Sequence, residues 1–299
     1  YTLELQATDL NGAAAEPIWL PFWVEATPFS WRGALLYMTL LDRFVDGDKT
    51  NNQGLLPKAD GGAQWHGGDL KGLLQAIESG WFEQLGVGAL WLSPLAAGAT
   101  GPELSGDGVH QVSGYHGYWP VQPRAIDARL GTAGDLQAVV KAAHQRGIRV
   151  LMDFVLNHVH SDHTYNKAHG TQSLDSWFNS GCICGTAGCD WTLQALTCLF
   201  RPYMPDVDWR HPVASEQFIA DGLWWLHTFD LDGMRVDAVK HVDASAVFNL
   251  AAQVRERFEA AGTDYFLTGE TAMGWAGDSL AANQMQYGTI NAYLGATGL

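Results

Sequence analysis

The chain has 299 residues, enough for one large α/β domain or two smaller ones. Hydrophobic residues make up 47% and charged residues 16%, with 34 Gly and 11 Pro spread along the chain, which excludes disordered, collagen-like and coiled-coil classes. Lys and Arg number 17 against 32 Asp and Glu, and the formal charge of −15 repels phosphate backbones and anionic lipid, so neither nucleic acid nor membrane is an expected partner.

Residues 1–30 hold TLELQATD, the turn pair Asn11-Gly12 and the aromatic run IWLPFWVEA, a pattern that predicts a β-hairpin. Two strands alone are barely stable, so the hairpin is expected to be the end of a preceding β-sandwich or a strand pair packed on the main domain. From residue 34 the pattern becomes strand then helix, repeated: ALLYMTLL, a helix near 69–85, and a buried strand from Gly88 to Leu92. Thr132 to Arg146 carries Leu136, Val139, Val140 and Ala143 at helical spacing and stops at Gly147, after which IRVLMDFVL reads as a fully buried strand. A Trp- and Leu-rich helix at 213–228, the strand LDGMRVDAV, a helix at 244–261 and the strand YFLTGE complete five strands of parallel type.

Residues 158–208 interrupt this alternation with little periodicity, and an insertion of that length is more often functional than accidental. It contains Cys182, Cys184, Cys189 and Cys198, for which three pairings exist. Cys182 and Cys184 are too close for easy mutual bridging, leaving a crossed or a nested pair; free thiols, or zinc at a poorly fitting spacing, are the alternatives. Disulfides imply an oxidising compartment, hence a secreted or periplasmic location, although residues 1–20 lack the pattern of a signal peptide and no apolar run is long enough to span a membrane.

The strands carry no Gly-rich phosphate loop after the first of them, which favours an eight-fold barrel over an open nucleotide-binding sheet. Polar groups follow three apolar strands: Asp153 through Asn157-His158, Arg235 with Asp237, and Glu270. In a barrel these strand ends converge on one face. Two carboxyls on adjacent strands suit glycoside hydrolysis, with Asp237 ionised beside Arg235 as nucleophile and Glu270 as acid/base.

DFVLNH at 153–158, GMRVDAVKH at 233–241 and LTGE at 267–270 resemble the first three signature segments of the α-amylase family of glycoside hydrolases, glycoside hydrolase family 13, in its bacterial calcium-dependent type. MPDV at 204–207 is similar to the segment closing that family's inserted domain, and GYHGYW at 114–119 to its substrate-side aromatic loop. The resemblance covers about residues 34–275. It implies a (β/α)8 TIM barrel formed by residues 31–157 and 209–299, with an inserted domain at 158–208 after strand 3. It further implies Asp237 as nucleophile, Glu270 as proton donor and Arg235 as the nucleophile's partner, with Tyr118, Trp119, His116, His158, Lys240 and His241 on the substrate side. Trp119 in particular is expected to stack on a sugar ring.

The family's Asn-His-Asp segment has no counterpart, and about 29 residues after Glu270 cannot supply three further strand–helix units, so a barrel truncated after about strand 5 is expected. Calcium is the expected cofactor, held by Asn157, Asp206 and the His241 carbonyl between barrel and insertion. A second calcium set resembles the loop of bacterial amylases and cyclodextrin-forming enzymes: Asp46, Asp48, Asn51, Asn52, Gly67 and Asp69. His160, His163 and His169 are read as loop residues, their spacing being wrong for a helical metal pair. The implied partner is an α-glucan oligo- or polysaccharide and the implied activity is hydrolysis of internal α-1,4 bonds in starch-like glucans. A glucanotransferase of the same chemistry, and a non-catalytic glucan-binding homologue or inactive fragment, are the alternatives.

Overall fold

The computed structural model describes residues 1–15 and 17–270. Its centre is a five-stranded parallel sheet of β3 (Leu35–Thr39), β4 (Val87–Leu92), β7 (Arg149–Phe154), β8 (Gly233–Val236) and β9 (Phe266–Gly269), in that order across the sheet. Sequence order equals spatial order, as right-handed β/α units laid side by side require. Every residue of β7 and β8 is buried, including the charged Arg149, Asp153 and Arg235 that interrupt their apolar sequence. Gly233 begins β8 at φ 155°, and a Cβ there would lie 1.9 Å from the Phe266 carbonyl oxygen, so only glycine lets β9 close against it.

The helices lie between the strands. α1 (Leu70–Glu78) is capped by Asp69, which accepts from Gly72 N, and α2 (Trp81–Gln84) follows it. The single helix expected over 69–85 is thus two, because Gly80 turns left-handed at φ 75° and ends the first. α3 (Ala133–His144) starts on a capping box of Thr132 and Asp135, and Gly147 at φ 72° releases the chain into β7. The inserted segment contributes α4 (Thr164–His169). α5 (Pro212–Phe229) has proline in its first turn, where the missing N–H costs nothing, and α6 (Ala244–Phe258) is capped by Asp243. Trp225, Leu223, Leu226, Val247, Leu250 and Val254 of these two helices are buried against the sheet.

The hairpin of β1 (Thr2–Leu5) and β2 (Ile18–Pro21) is antiparallel. The segment that follows it reaches the amino ends of the barrel strands. Trp19 packs on His227, Trp23 meets His144 edge-on, and Glu25 pairs with Arg149, whose guanidinium lies between the rings of Trp23 and Phe29 at 3.6 and 4.1 Å. A small sheet of β5 (Glu103–Leu104) and β6 (Gln111–Val112) sits in the long connection after β4. The four cysteines form crossed disulfides, Cys182–Cys189 and Cys184–Cys198, so neither zinc nor free thiols apply. No helix among the described residues is long and apolar enough to cross a membrane.

Candidate active site

The carboxyl ends of β7, β8 and β9 place Asp153, Arg235, Asp237 and Glu270 in one cluster. Arg235 Nη1 donates to Asp237 Oδ1 at 2.7 Å and to both oxygens of Asp153 at 2.8 and 3.0 Å, and Nη2 pairs with Glu270 Oε1 at 2.9 Å. Asp153 also accepts from Trp91 Nε1 at 3.1 Å and from the Tyr118 hydroxyl at 2.8 Å. Sequence reasoning gave Arg235 one partner; the structure gives it three.

Just past Asp237 the chain turns left-handed at Ala238, φ 48°, an uncommon conformation for a residue with a side chain. The turn aims Ala238 N at Glu270 Oε2, 3.1 Å away. Glu270 is therefore held at both oxygens while its side chain stays 43% exposed, whereas Asp237 is buried.

Burial pushes Asp237 above the ordinary carboxylate range, the charges of Asp153 and Glu270 push it further, and Arg235 pulls it back. Arg235, expected to hold Asp237 by charge and hydrogen bonding, is shared among three acids. Burial likewise raises Asp153, against the pull of Arg235, Tyr118 and Trp91. His158 and His241 are both lowered to about 4, chiefly by burial, and are neutral hydrogen-bonding groups. His158 Nε2 donates to the Tyr118 carbonyl at 3.0 Å, and His241 Nδ1 donates to the Ala195 carbonyl at 2.9 Å.

These residues line a cleft of about 680 Å³. Tyr118, His158, Lys240 and His241 border it together with Arg235, Asp237 and Glu270, and the insertion adds Asp190, Trp191, Thr192, Phe200 and Met204. A polar floor with flat apolar walls is the usual composition of a sugar-binding cleft.

Residues 39–270 match the sequence profile of the alpha amylase catalytic domain. The chain belongs to the α-amylase family. Among its relatives are the periplasmic alpha-amylase of Escherichia coli, 42% identical over 139 residues (44% of this chain, 20% of that protein), and a cyclomaltodextrin glucanotransferase of Paenibacillus macerans, 27% identical over 246 residues (77% and 34%). The structure is similar to that of alpha-amylase from Geobacillus thermoleovorans complexed with acarbose, with TM-score 0.67, 29% identity, and coverage of 88% of this chain and 51% of that one. The chain thus spans about half or less of these α-amylase-family proteins, and it carries five strands of the family's (β/α)8 barrel among the described residues.

Two expected site residues fall elsewhere. Trp119 is buried among Ala99, Met204 and Tyr203, with His116 edge-on at 4.6 Å, and offers no face to the cleft. The Gly-Tyr loop that suggested an exposed ring is folded beneath the insertion. His116 does not border the cleft either; its Nδ1 accepts from Tyr118 N at 3.0 Å and its ring stacks on Tyr118, so it shapes the loop.

Sequence reasoning placed Asp153 among the polar strand ends of one face but gave it no partner, and it missed Trp91 as a member of the charged cluster and Asp190, Trp191, Thr192 and Phe200 on the cleft wall. The only signal for the last group was an aromatic residue inside a cysteine-bounded segment. His160 Nε2 meets Glu103 Oε1 at 3.0 Å, and His163 caps α4; among the described residues no group of three or more His, Cys, Asp and Glu side chains could hold a metal ion.

The two expected calcium sets rely partly on carbonyl and amide oxygens. The Asn157 side chain lies between Asp206 Oδ1 and the His241 carbonyl, at 3.3 and 2.8 Å; its nitrogen satisfies them in one orientation, and in the other three oxygens converge. Asp206 is buried with the Asn179 amide donating at 2.8 Å, and burial raises its carboxyl well above the ordinary range. Such an acid fits a bound cation.

In the second set, Asp46 Oδ1 and Asn51 Oδ1 are buried oxygens without a hydrogen-bond partner among the described residues, and Asn52 Nδ2 donates to Asp46 Oδ2 at 2.8 Å. Asp69 is fully taken up by Gly47 N, Asp48 N, Gly72 N and Asn51 Nδ2, and Asp48 by Lys71 and Thr50. Gly67 lies against the Asn52 side chain, 2.5 Å from where its Cβ would be. Two orphaned oxygens in an acidic loop suit a hard cation, although Asp48 and Asp69 are engaged by protein donors.

Proposed function

We propose that this chain carries the reaction centre of a retaining α-1,4-glucan hydrolase of the α-amylase type, with Asp237 as nucleophile, Glu270 as acid/base and Arg235 as the group that holds both. The observation that supports this reading best is the shared guanidinium, with Asp237 on one terminal nitrogen and Glu270 on the other. Carboxyls held this way favour the short separation of retaining enzymes, about 5–5.5 Å, over the wider gap that admits an inverting water.

Among the described residues Asp153 accepts more hydrogen bonds than either other acid, from Arg235, Tyr118 and Trp91, so that carboxyl is the anion of the set, and burial disfavours three negative charges beside one positive one. When a sugar enters, Glu270 gives its proton to the departing glycosidic oxygen as Asp237 Oδ attacks the anomeric carbon. Glu270 then takes a proton from the water, or the sugar hydroxyl, that displaces Asp237. Neutral His158 and His241, with Lys240, bind hydroxyls without competing for that proton. The acarbose complex of the Geobacillus relative supports an α-glucan as the ligand.

Calcium belongs to this reading as a structural ion. Asn157, Asp206 and the His241 carbonyl would hold one between the insertion and the turn after Asp237. Asp46 and Asn51, with Asp48, Asn52, Gly67 and Asp69 around them, would hold another. A bound ion supplies the counter-charge that Asp206 lacks. Two disulfides and a periplasmic relative support a location outside the cytoplasm.

The test is release of reducing ends from soluble starch in calcium buffer, with the first-formed anomer read by NMR. An α-anomer is expected; a β-anomer, or the release of no reducing ends and no transfer products at all, would refute the reading. A glucanotransferase is the second reading, favoured by the cyclomaltodextrin glucanotransferase relatives, and chromatography of the products distinguishes cyclic or transferred sugars from linear ones.

A further inference from the structure

We propose that the disulfide knot of residues 182–198 is a substrate-recognition device: its cross-links fix Trp191 at the rim of the cleft as a stacking platform for one glucose ring of a longer chain, and hold the lobe that anchors His241. The proposal rests on the α-glucan reading of the cleft.

The knot has no regular secondary structure and a small core, so its shape rests on the cross-links and on local turns. No helix or strand falls between α4 and α5, and the buried apolar groups of the lobe are Ala195 and Cys184, Cys189 and Cys198, with the partly buried Phe200 packed on the cysteines. Tight turns accompany the cross-links, with backbone bonds such as Gly185 N to Cys189 O at 2.8 Å, Cys184 N to Leu199 O at 2.9 Å and Leu199 N to Cys182 O at 2.9 Å, and Asp190 Oδ1 accepting from Thr192 N and Leu193 N.

Trp191 follows Cys189 by two residues and is 42% exposed while lining the cleft. Phe200 and His241 support it at 5.6 and 5.8 Å between ring centroids, and Gly185 backs it so closely that a Cβ there would lie 2.5 Å from Nε1. The same lobe supplies the Ala195 carbonyl that accepts from His241 Nδ1. It therefore grips the turn after Asp237 at two points. A large indole left open toward a polar cleft, flanked by an acid and a hydroxyl at Asp190 and Thr192, has the composition that recognises a sugar: a flat face for the ring and polar groups for its hydroxyls.

The experiment measures maltoheptaose and maltose binding by calorimetry, with calcium, on the Asp237→Asn protein so that nothing turns over. Adding Trp191→Ala should weaken maltoheptaose about tenfold and maltose by less than about twofold, with Trp191→Phe recovering part of the loss. The double change Cys184→Ser and Cys198→Ser should give the same length-selective loss. Gly185→Ala, which crowds the indole with both cross-links intact, should give it too and covers the case in which the cystine variant fails to fold. A variant that lowers the melting temperature without changing the ratio of the two affinities would show a merely structural knot and overturn the proposal, as would Trp191→Ala binding both sugars normally. If the Asp237→Asn protein binds neither sugar, the α-glucan reading fails and takes the proposal with it.

Discussion

Asp153 and Arg235 are direct register partners on β7 and β8, and the guanidinium of one donates to both oxygens of the other. Their pairing makes the sheet itself the template for the charged cluster. Removing Asp153 strands a buried guanidinium with one fewer anion and frees the Tyr118 hydroxyl. Asp153→Ala is expected to lower stability by about 3 kcal/mol, read from urea unfolding. Asp153→Asn, which keeps the shape and one acceptor, should lose less. An unfolding midpoint unchanged in both variants would mean the pair has no net weight.

The two acids are separable by leaving group. Asp237→Asn is expected to lower kcat on starch at least about 1000-fold, roughly 4 kcal/mol of barrier, with the fold retained. Glu270→Gln should cost a similar factor on starch but far less on an α-maltosyl fluoride, whose fluoride departs without a proton. If Glu270→Gln were impaired equally on both substrates, proton donation would not be its role.

Much of this site was legible because β/α alternation fixes which end of each strand faces the pocket. Arg235, Asp237 and Glu270 follow directly from apolar strands that stop at a polar residue. The part that was not legible depends on pairing across strands or on irregular chain. Nothing in DFVLNH says that Asp153 will sit opposite Arg235; that is a property of register. Trp119 was misread because a Gly-Tyr loop looks exposed until the insertion, through Met204 and Tyr203, is laid over it. Trp191 was overlooked because a segment without periodicity gives no inward or outward face, and the cysteine spacing alone could not choose crossed over nested bridges.

Calcium dependence gives a third expectation. A ligand that binds only the folded chain at 100 times its dissociation constant adds about 2.7 kcal/mol. Chelation should therefore lower the melting temperature, and calorimetric titration of the stripped protein should return two calcium ions per chain. Asp206→Ala and Asp46→Ala are each expected to remove one. A stoichiometry of two retained in either variant would clear that residue of ligation.

The last expectation concerns the opposite face of the barrel. His144 Nε2 meets Asp232 Oδ2 at 2.9 Å, and Trp23 covers the imidazole. Burial lowers its affinity for a proton, but Asp232 and Asp230 together outweigh that and leave its pKa above the ordinary value. The folded state therefore binds this proton more tightly than the unfolded chain does. Its stabilising contribution is complete below the unfolded value of about 6.5 and is lost as pH rises through the higher folded value. Unfolding followed in urea from pH 6 to pH 9 should show stability declining across that window, and His144→Gln should flatten the decline. A variant with the same slope as the parent would assign the pH dependence to other groups. Asp232 also accepts from Val150 N at 2.7 Å, inside the sheet, so Asp232→Asn should weaken the sheet as well as remove the pH effect. Comparing the two variants separates the charge of the pair from the hydrogen bond that positions it.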